Sequence, residues 1–432
     1  MKRGFAIYFA CLLLLTCFLG WYLTRPKVLT VGLFAGSEWN VPEGDSYAML
    51  EEAIKRFEAE HPGVTVKYVS GIRKDDYSEW LAERLLKGEE PDVFVVPGVD
   101  FALYASIGAL SPLDQSINKD LDFDPEVYYP MALEYGRWNG VSYALPIGAV
   151  PTLMFVNKTL LAQEGIPIPR NDWTWQDFLR ICKAVTKDTD GDGRLDQFGV
   201  YDYNWRKAAL TNDVHIFSPD GRSADFSSNN MEEVMRFMAE LRAVNQGQEV
   251  TAKDFDMGRV AFRPFTFAEY RTYKPYPWRI KKYSSFEWDC IKLPAGPSGH
   301  NSSIIQTMIM AISARTSEPR LSWELLKTIC YNPAIQEMML TKSQGLPARR
   351  DVVESPEAQK LFMASTPGSE EMNLKIVSSV MDDSINEPKF PRYREAMNLA
   401  DYKLSNILQG NNMSLSRALS QVQKEINAYL QQ

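Results

Sequence analysis

Between Val28 and Val96 the hydrophobic period of the sequence switches between two and 3.6 residues, strand to helix and back, and no other feature limits the fold so tightly. Val28 to Phe34 alternates apolar side chains as a strand does, and Ser46 to Glu60 then places Leu50, Ala53, Ile54 and Phe57 on one helical stripe. Asp45 or Ser46 can cap that helix. Val64 to Val69 predicts a second strand, Asp75 to Lys87 a second helix carrying Tyr77, Trp80, Leu81 and Leu85, and Asp92 to Val96 a third strand. A βαβαβ order of this kind builds an α/β fold with a parallel sheet and right-handed crossovers, and ligands then sit beyond the carboxyl ends of the strands. The loops of interest are therefore Ala35 to Asp45, Gly71 to Lys74 and Pro97 to Asp100.

A chain of 432 residues exceeds what one core of this type needs, and two lobes are expected. Trp138 to Ala144 predicts a hairpin turning at Asn139 and Gly140, followed by an apolar strand over Thr152 to Val156. Helices are expected over Thr174 to Thr186 and Asn230 to Val244, and strands over Phe286 to Ile291 and Ile304 to Ser313, with a Pro/Gly/Ser loop from Pro294 to Asn301. The chain is expected to change lobe near residues 145–155 and 292–305. With a formal net charge of -8 and its cations scattered, the chain lacks the basic stripe a nucleic-acid surface requires. Cys182, Cys290 and Cys330 lie too far apart, and are too odd in number, for a disulfide framework or a zinc cluster, and Cys182 and Cys330 share helical spacing with apolar neighbours.

Lys2 and Arg3 precede an almost unbroken apolar stretch from Gly4 to Leu23, which Arg25, Pro26 and Lys27 end. A stretch of this length spans ~30 Å of hydrocarbon as a helix, and the leading cations keep its start in the cytoplasm, so the chain beyond residue 27 is expected to be exported. Two fates are open for residues 1–27. Leu14, Leu15, Thr16 and Cys17 resemble a bacterial lipoprotein cleavage signal, but Phe18, Leu19, Trp21, Tyr22 and Leu23 prolong the apolar face past the cysteine, which favours an uncleaved anchor on the outer face of the membrane.

From about Val28 to Arg350 the chain resembles the family 1 extracellular solute-binding proteins, the sugar-binding components of ABC importers among them. The resemblance rests on Gly108 to Leu113, on Tyr143 to Gly148 followed by Leu153 to Lys158, and on Gly165 to Pro167 with Trp173 to Phe178. Met257 to Phe262, Leu293 to Pro297 and Gly345 to Arg349 continue it in order. Arg263, Pro264 and Phe265 depart from the pattern, since family members often carry Gly and Trp there. The resemblance implies a two-lobed, periplasmic-binding-protein-like (type II) fold with hinge crossovers. Lobe 1 would hold residues 28–148 and 300–352, lobe 2 residues 149–299 and 353–432, with the C-terminal helices packed against both. It also implies a monomer that closes on a carbohydrate and presents it to permease subunits.

A pyranose offers hydroxyls around its rim and apolar C–H faces, so its site combines aromatic planes with carboxylates, amides or guanidinium groups. Candidates in the first lobe are Glu38 and Trp39 after the first strand, Asp100 after the third, and Gln306 and Arg349. In the second lobe they are Trp205, Phe265, Glu269 and Tyr270. Each has a plainer reading: packing for the aromatics, helix capping for Asp100 and a surface salt bridge for Arg349. Asp188, Asp190, Asp192 and Gly193 open an EF-hand-like loop with the Arg194 carbonyl seventh and Asp196 ninth, but Gly199 stands where the bidentate Glu belongs. That loop is either a structural calcium site or an Asp/Gly turn, and no other cofactor is expected. An enzyme is disfavoured, because His61, His215 and His300 are isolated and the nucleophile-elbow, zinc and P-loop motifs are missing. The same fold could instead carry a polyamine, ferric ion or peptide-like solute, signal to a membrane sensor, or support a carbohydrate-active enzyme with two opposed carboxylates.

Overall fold

The computed structural model describes residues 26–431 except 38, 40, 42–45, 274–285, 366–373, 391 and 411–412. The expected membrane span and Glu38 lie outside the described residues, among which no helix is long and apolar enough to cross a membrane. In lobe 1, β1 (Lys27–Gly32), α1 (Ser46–Glu60), β2 (Val64–Val69), α2 (Lys74–Lys87) and β3 (Val93–Val96) appear in the βαβαβ order, with β1 parallel to β2 and β3. α2 buries Tyr77, Leu81 and Leu85, one residue per turn on a single stripe, and ends where Gly88 takes a left-handed φ of 68° and donates to the last-turn carbonyls. All four residues of β3 are buried, as befits a central strand covered on both faces. α3 (Gly98–Ser106) and α4 (Pro130–Glu134) follow, and then the hairpin of β4 (Arg137–Trp138) and β5 (Val141–Ser142). Its turn residues Asn139 and Gly140 both have positive φ, the geometry two-residue hairpins select.

β6 (Ala144–Asn157) joins the lobes as one strand of 14 residues, longer than the expected Thr152 to Val156 because it belongs to both sheets. Its first half pairs antiparallel with β10 (Ser303–Ile312), which itself pairs antiparallel with β3. Its second half pairs with β8 (Val260–Thr266) and β9 (Trp288–Ile291), and β8 runs parallel to β7 (Phe198–Val200). The hydrogen-bonded order is thus β2-β1-β3-β10-β6-β8-β7 across both lobes. Pro146 and Pro151 withhold two ladder donors from β6, and the register shifts at Met308/Ile309 opposite Pro146. Helices α5 (Trp175–Val185), α6 (Trp205–Thr211) and α7 (Asn229–Val244) cover the second lobe, and α8 (Phe267–Tyr273) follows β8 directly. Thr174 and Asp177 close a reciprocal capping box at the start of α5.

After β10 come α9 (Pro319–Cys330), α10 (Pro333–Lys342), β11 (Leu346–Pro347), α11 (Pro356–Ser365), α12 (Leu374–Asp382), β12 (Ser384–Ile385), α13 (Tyr393–Gln409) and α14 (Leu415–Leu430). The tail divides between the lobes. Ala358 and Phe362 of α11 and Leu374, Val377 and Met381 of α12 join the core of lobe 1, whereas Met397, Leu404, Leu419 and Ile426 join that of lobe 2. The C-terminal helices thus pack against both lobes, α11 and α12 on lobe 1 and α13 and α14 on lobe 2. β12 pairs parallel with the start of β10, so the stretch between α12 and α13 is a third segment crossing between lobes.

Candidate functional site

The strand ends converge where the chain crosses. Val96, at the carboxyl end of β3, pairs with Ile309, and Thr266, at the carboxyl end of β8, pairs with Thr152 just beyond the point where β6 leaves lobe 1. Beside these ends lies a cleft of about 560 Å³, within the range of roughly 300–1,000 Å³ that small-molecule sites occupy. Lobe 1 lines it with Ser78, Gly98, Val99, Asp100 and Tyr135; Arg206 of α6 and residues of the third crossing segment and α13 line the other side. A second cavity, of about 40 Å³, lies inside lobe 1 among Leu33, Trp39, Met49, Met308 and Met339. Its walls are largely apolar and come from lobe 1, whereas the larger cleft is lined from both lobes.

Asp100 owes its place to the turn from β3 into α3. Its carboxylate accepts a hydrogen bond of 2.5 Å from Ser78 Oγ on α2. Burial raises its pKa, while Ser78 and the nearby Arg394 guanidinium pull it back. Gly98 permits the close approach of Tyr135, since a Cβ there would overlap the tyrosine hydroxyl. Across the cleft, Arg206 is held by Asp401 of α13, its Nε donating to Oδ1 at 3.0 Å. Lys389 lies over the Tyr135 ring, 3.3 Å from its centroid, and donates to the Tyr135 carbonyl; its burial away from water lowers its pKa to about 7. Burial and the neighbouring Glu387 raise the pKa of the Tyr393 hydroxyl. Near Arg206, Asp202 adopts a left-handed φ of 60°, rare outside glycine, and its carbonyl accepts from Lys207 at 3.2 Å.

Of the described candidates, the structure brings Asp100 to the lining of this cleft. Trp39 is 6% exposed, packs on Gly345 and hydrogen-bonds Ser343 Oγ through its indole at 3.3 Å. Trp205 is buried in lobe 2, with its indole donating to Asp401 at 2.9 Å. Phe265 and Tyr270 are buried too, both against Phe155, because the alternation of β8 and the first turn of α8 point them inward. These four aromatics are core, which corrects their expected role as stacking platforms. The Glu269 carboxylate is engaged by Thr266 at the start of α8, and Gln306 is exposed on β10 opposite Val150. Arg349 is not a surface ion pair; it is buried on the Tyr331 ring and bonded to Asp351. Sequence reasoning passed over Ser78, Tyr135 and the run Glu387 to Glu395, and took Arg206 only as a flank of Trp205. A signal existed in that run: charged residues punctuated by Pro388 and Pro391 between two helices.

In the acidic loop, carboxylate oxygens of Asp188, Asp190 and Asp192 lie within 4.8 Å of one another, a spread a calcium ion could bridge. The two oxygens of Asp188 accept from the backbone of Gly191 and Gly193, which lowers its pKa. Asp192 accepts from the Arg194 amide at 2.8 Å, and Asp196 is turned to Thr189, whose amide and hydroxyl it binds. The residues thus fit a cation through three carboxylates, with Asp196 engaged elsewhere.

The sequence profile of a family described as bacterial extracellular solute-binding protein matches residues 52–364. A lipoprotein of Streptomyces antibioticus is 31% identical over 153 residues, which is 35% of this chain and 32% of that protein. A binding protein of Brucella abortus is 21% identical over 383 residues, 84% of this chain and 85% of the relative. In three dimensions the chain is similar to the sugar-binding protein MalE from Xanthomonas citri, with a TM-score of 0.75 at 17% identity over 94% of this chain and 97% of the other.

Proposed function

Because this chain belongs to the bacterial extracellular solute-binding proteins, we propose that it captures a carbohydrate between its lobes and delivers it to the permease of an ABC importer. The observation that carries the reading is the cleft itself, whose walls come from both lobes and carry Asp100, Arg206, Lys389, Arg392, Arg394 and Glu395 beside Tyr135 and Tyr393. Carboxylates and guanidinium groups make charge-assisted hydrogen bonds to hydroxyls, and tyrosine rings cover C–H faces. The similarity to a sugar-binding protein of the same fold supports the same class of ligand. A solute that touches both walls favours the closed arrangement by its differential affinity, and the permease would read that shape. The protein acts by binding alone, so saccharides are expected back unchanged.

The apolar stretch Gly4 to Leu23 behind Lys2 and Arg3 supports an N-terminal hold on the outer face of the membrane. The convergence of Asp188, Asp190 and Asp192 supports a structural calcium ion at the edge of lobe 2. The deciding experiment is a thermal-shift screen of the full chain against mono- and oligosaccharides, since a ligand that binds only the folded form raises its melting temperature. Asp100→Asn should weaken the best ligand about tenfold or more, the loss expected for a hydrogen bond to a charged group. A flat screen, or an undiminished affinity in Asp100→Asn, counts against the reading.

A further inference from the structure

The sheet of lobe 1 presents two opposite edges. At its carboxyl edge Gly98, Val99 and Asp100 follow β3 into the lining of the cleft. At its amino edge Lys27 opens β1, pairs with Val64 at the start of β2 and donates from its backbone to the Gly63 carbonyl at 3.0 Å. The Lys27 ammonium reaches Glu318, just ahead of α9, at 2.7 Å, so the starts of β1 and β2 and the segment leaving β10 lie together. β3 and β6 both run antiparallel to β10, and Ile309 pairs with Val96 and Pro146 alike. β6 therefore leaves lobe 1 at the carboxyl edge and continues to Asn157, which carries lobe 2 on the order of 30 Å further at ~3.3 Å per residue. Amino edge, cleft and lobe 2 follow one another in a line.

The apolar stretch Gly4 to Leu23 stops just before Thr24, Arg25 and Pro26, and β1 begins at the next residue. A fully extended link of this length reaches about 10 Å. β1 alone covers roughly 20 Å from the amino to the carboxyl edge. Such a link cannot pass around lobe 1, so it holds the amino edge close to wherever the apolar stretch leaves the lipid. The chemistry of the edge agrees. Glu318 is engaged by Lys27, the Glu90 side chain, 2% exposed, is held by Ser313 and Arg315, and Asp92 accepts from Thr30 and Thr316. Arg320, in the first turn of α9, is exposed beside them. With these acids taken up inside the protein and a guanidinium facing out, the edge suits an anionic headgroup layer.

We propose that lobe 1 rests on the lipid headgroups by this amino edge, so that the molecule stands upright, with its cleft above the bilayer and lobe 2 outermost. This rests on the N-terminal hold read above, which it turns from an attachment into an orientation. A permease in the same bilayer would meet lobe 1 before lobe 2.

The full chain in vesicles of phosphatidylcholine and phosphatidylglycerol tests the pose, with Arg320→Cys or Lys253→Cys labelled by a membrane-impermeant fluorescent maleimide. Arg320 marks the amino edge, whereas Lys253 is exposed ahead of β8, at the far end of lobe 2. Cys182, Cys290 and Cys330 are buried, and Cys11 and Cys17 lie in the apolar stretch. When the vesicles carry a nitroxide on their headgroups, the label at position 320 should lose most of its fluorescence and the label at position 253 should keep its own. Equal quenching of both labels, or of neither on vesicles that still carry the protein, overturns the upright pose and leaves the hold standing. So does an intact mass that begins at a lipidated Cys17, since nine residues, Phe18 to Pro26, would then separate lipid from β1. Protein that fails to float with the vesicles refutes the hold and the inference with it.

Discussion

Lys389 offers the sharpest test of how the crossing segment is held. Its ammonium lies 3.3 Å from the centre of the Tyr135 ring and 4.6 Å from that of Phe101, and it donates to the carbonyl at the end of α4. Burial lowers its pKa to about 7, and Glu134 draws it part of the way back. In the unfolded chain the same lysine titrates near 10.4. The folded state therefore binds the proton less well. The penalty is nil above the unfolded value, builds as pH falls through the window between the two, and is complete below the folded value. From about pH 9 to about pH 6, linkage gives a loss of roughly 2–3 kcal/mol relative to a chain with no charge at this position. Contact with two aromatic faces stabilises the cation and trims that figure. Lys389→Met keeps the length and removes the titration. Urea unfolding of both proteins at several pH values should show the variant gaining on the parent by that amount as pH falls. A difference independent of pH would refute the reasoning, because it would mean that the ammonium is solvated in the folded protein.

Other perturbations have equally definite outcomes. Gly98→Ala should displace Tyr135 and cost about 1–3 kcal/mol, the usual price of overpacking, with ligand affinity falling alongside; calorimetry and titration read the two effects. Asp401→Asn should loosen α13 from α6 by about 1–2 kcal/mol, since the carboxylate serves both Trp205 and Arg206 but is partly exposed; chemical unfolding checks it. Calcium at about a hundred times its dissociation constant should stabilise the chain by about 2.7 kcal/mol, and Asp188→Asn should abolish the rise; a melting temperature indifferent to calcium would leave the acidic loop a turn.

Short-range pattern was sufficient for the architecture of lobe 1. The helix Ser46–Glu60 and the strand Val64–Val69 fall where periodicity placed them, because each element buries a single face and the spacing of that face is written in consecutive residues. The same holds for the hairpin turn at Asn139 and Gly140, where only local backbone geometry matters. The long span of β6 was only half visible, since a strand shared by two sheets is buried from end to end and loses its alternation.

The ligand-facing residues were another matter. Trp39 and Trp205 follow strands just as a stacking platform would, and nothing within ten residues of either reveals that Gly345 or Asp401 will meet it. Asp100 could be picked out because the carboxyl end of a parallel strand points to the cleft in every fold of this type. Tyr135 and Arg206 could not, since they meet in one cleft from stretches of chain that are separate in sequence. A side chain's exposure, its partners and its pKa are set by whatever the rest of the chain packs around it, and that sum over distant contacts is decided only when the lobes have formed.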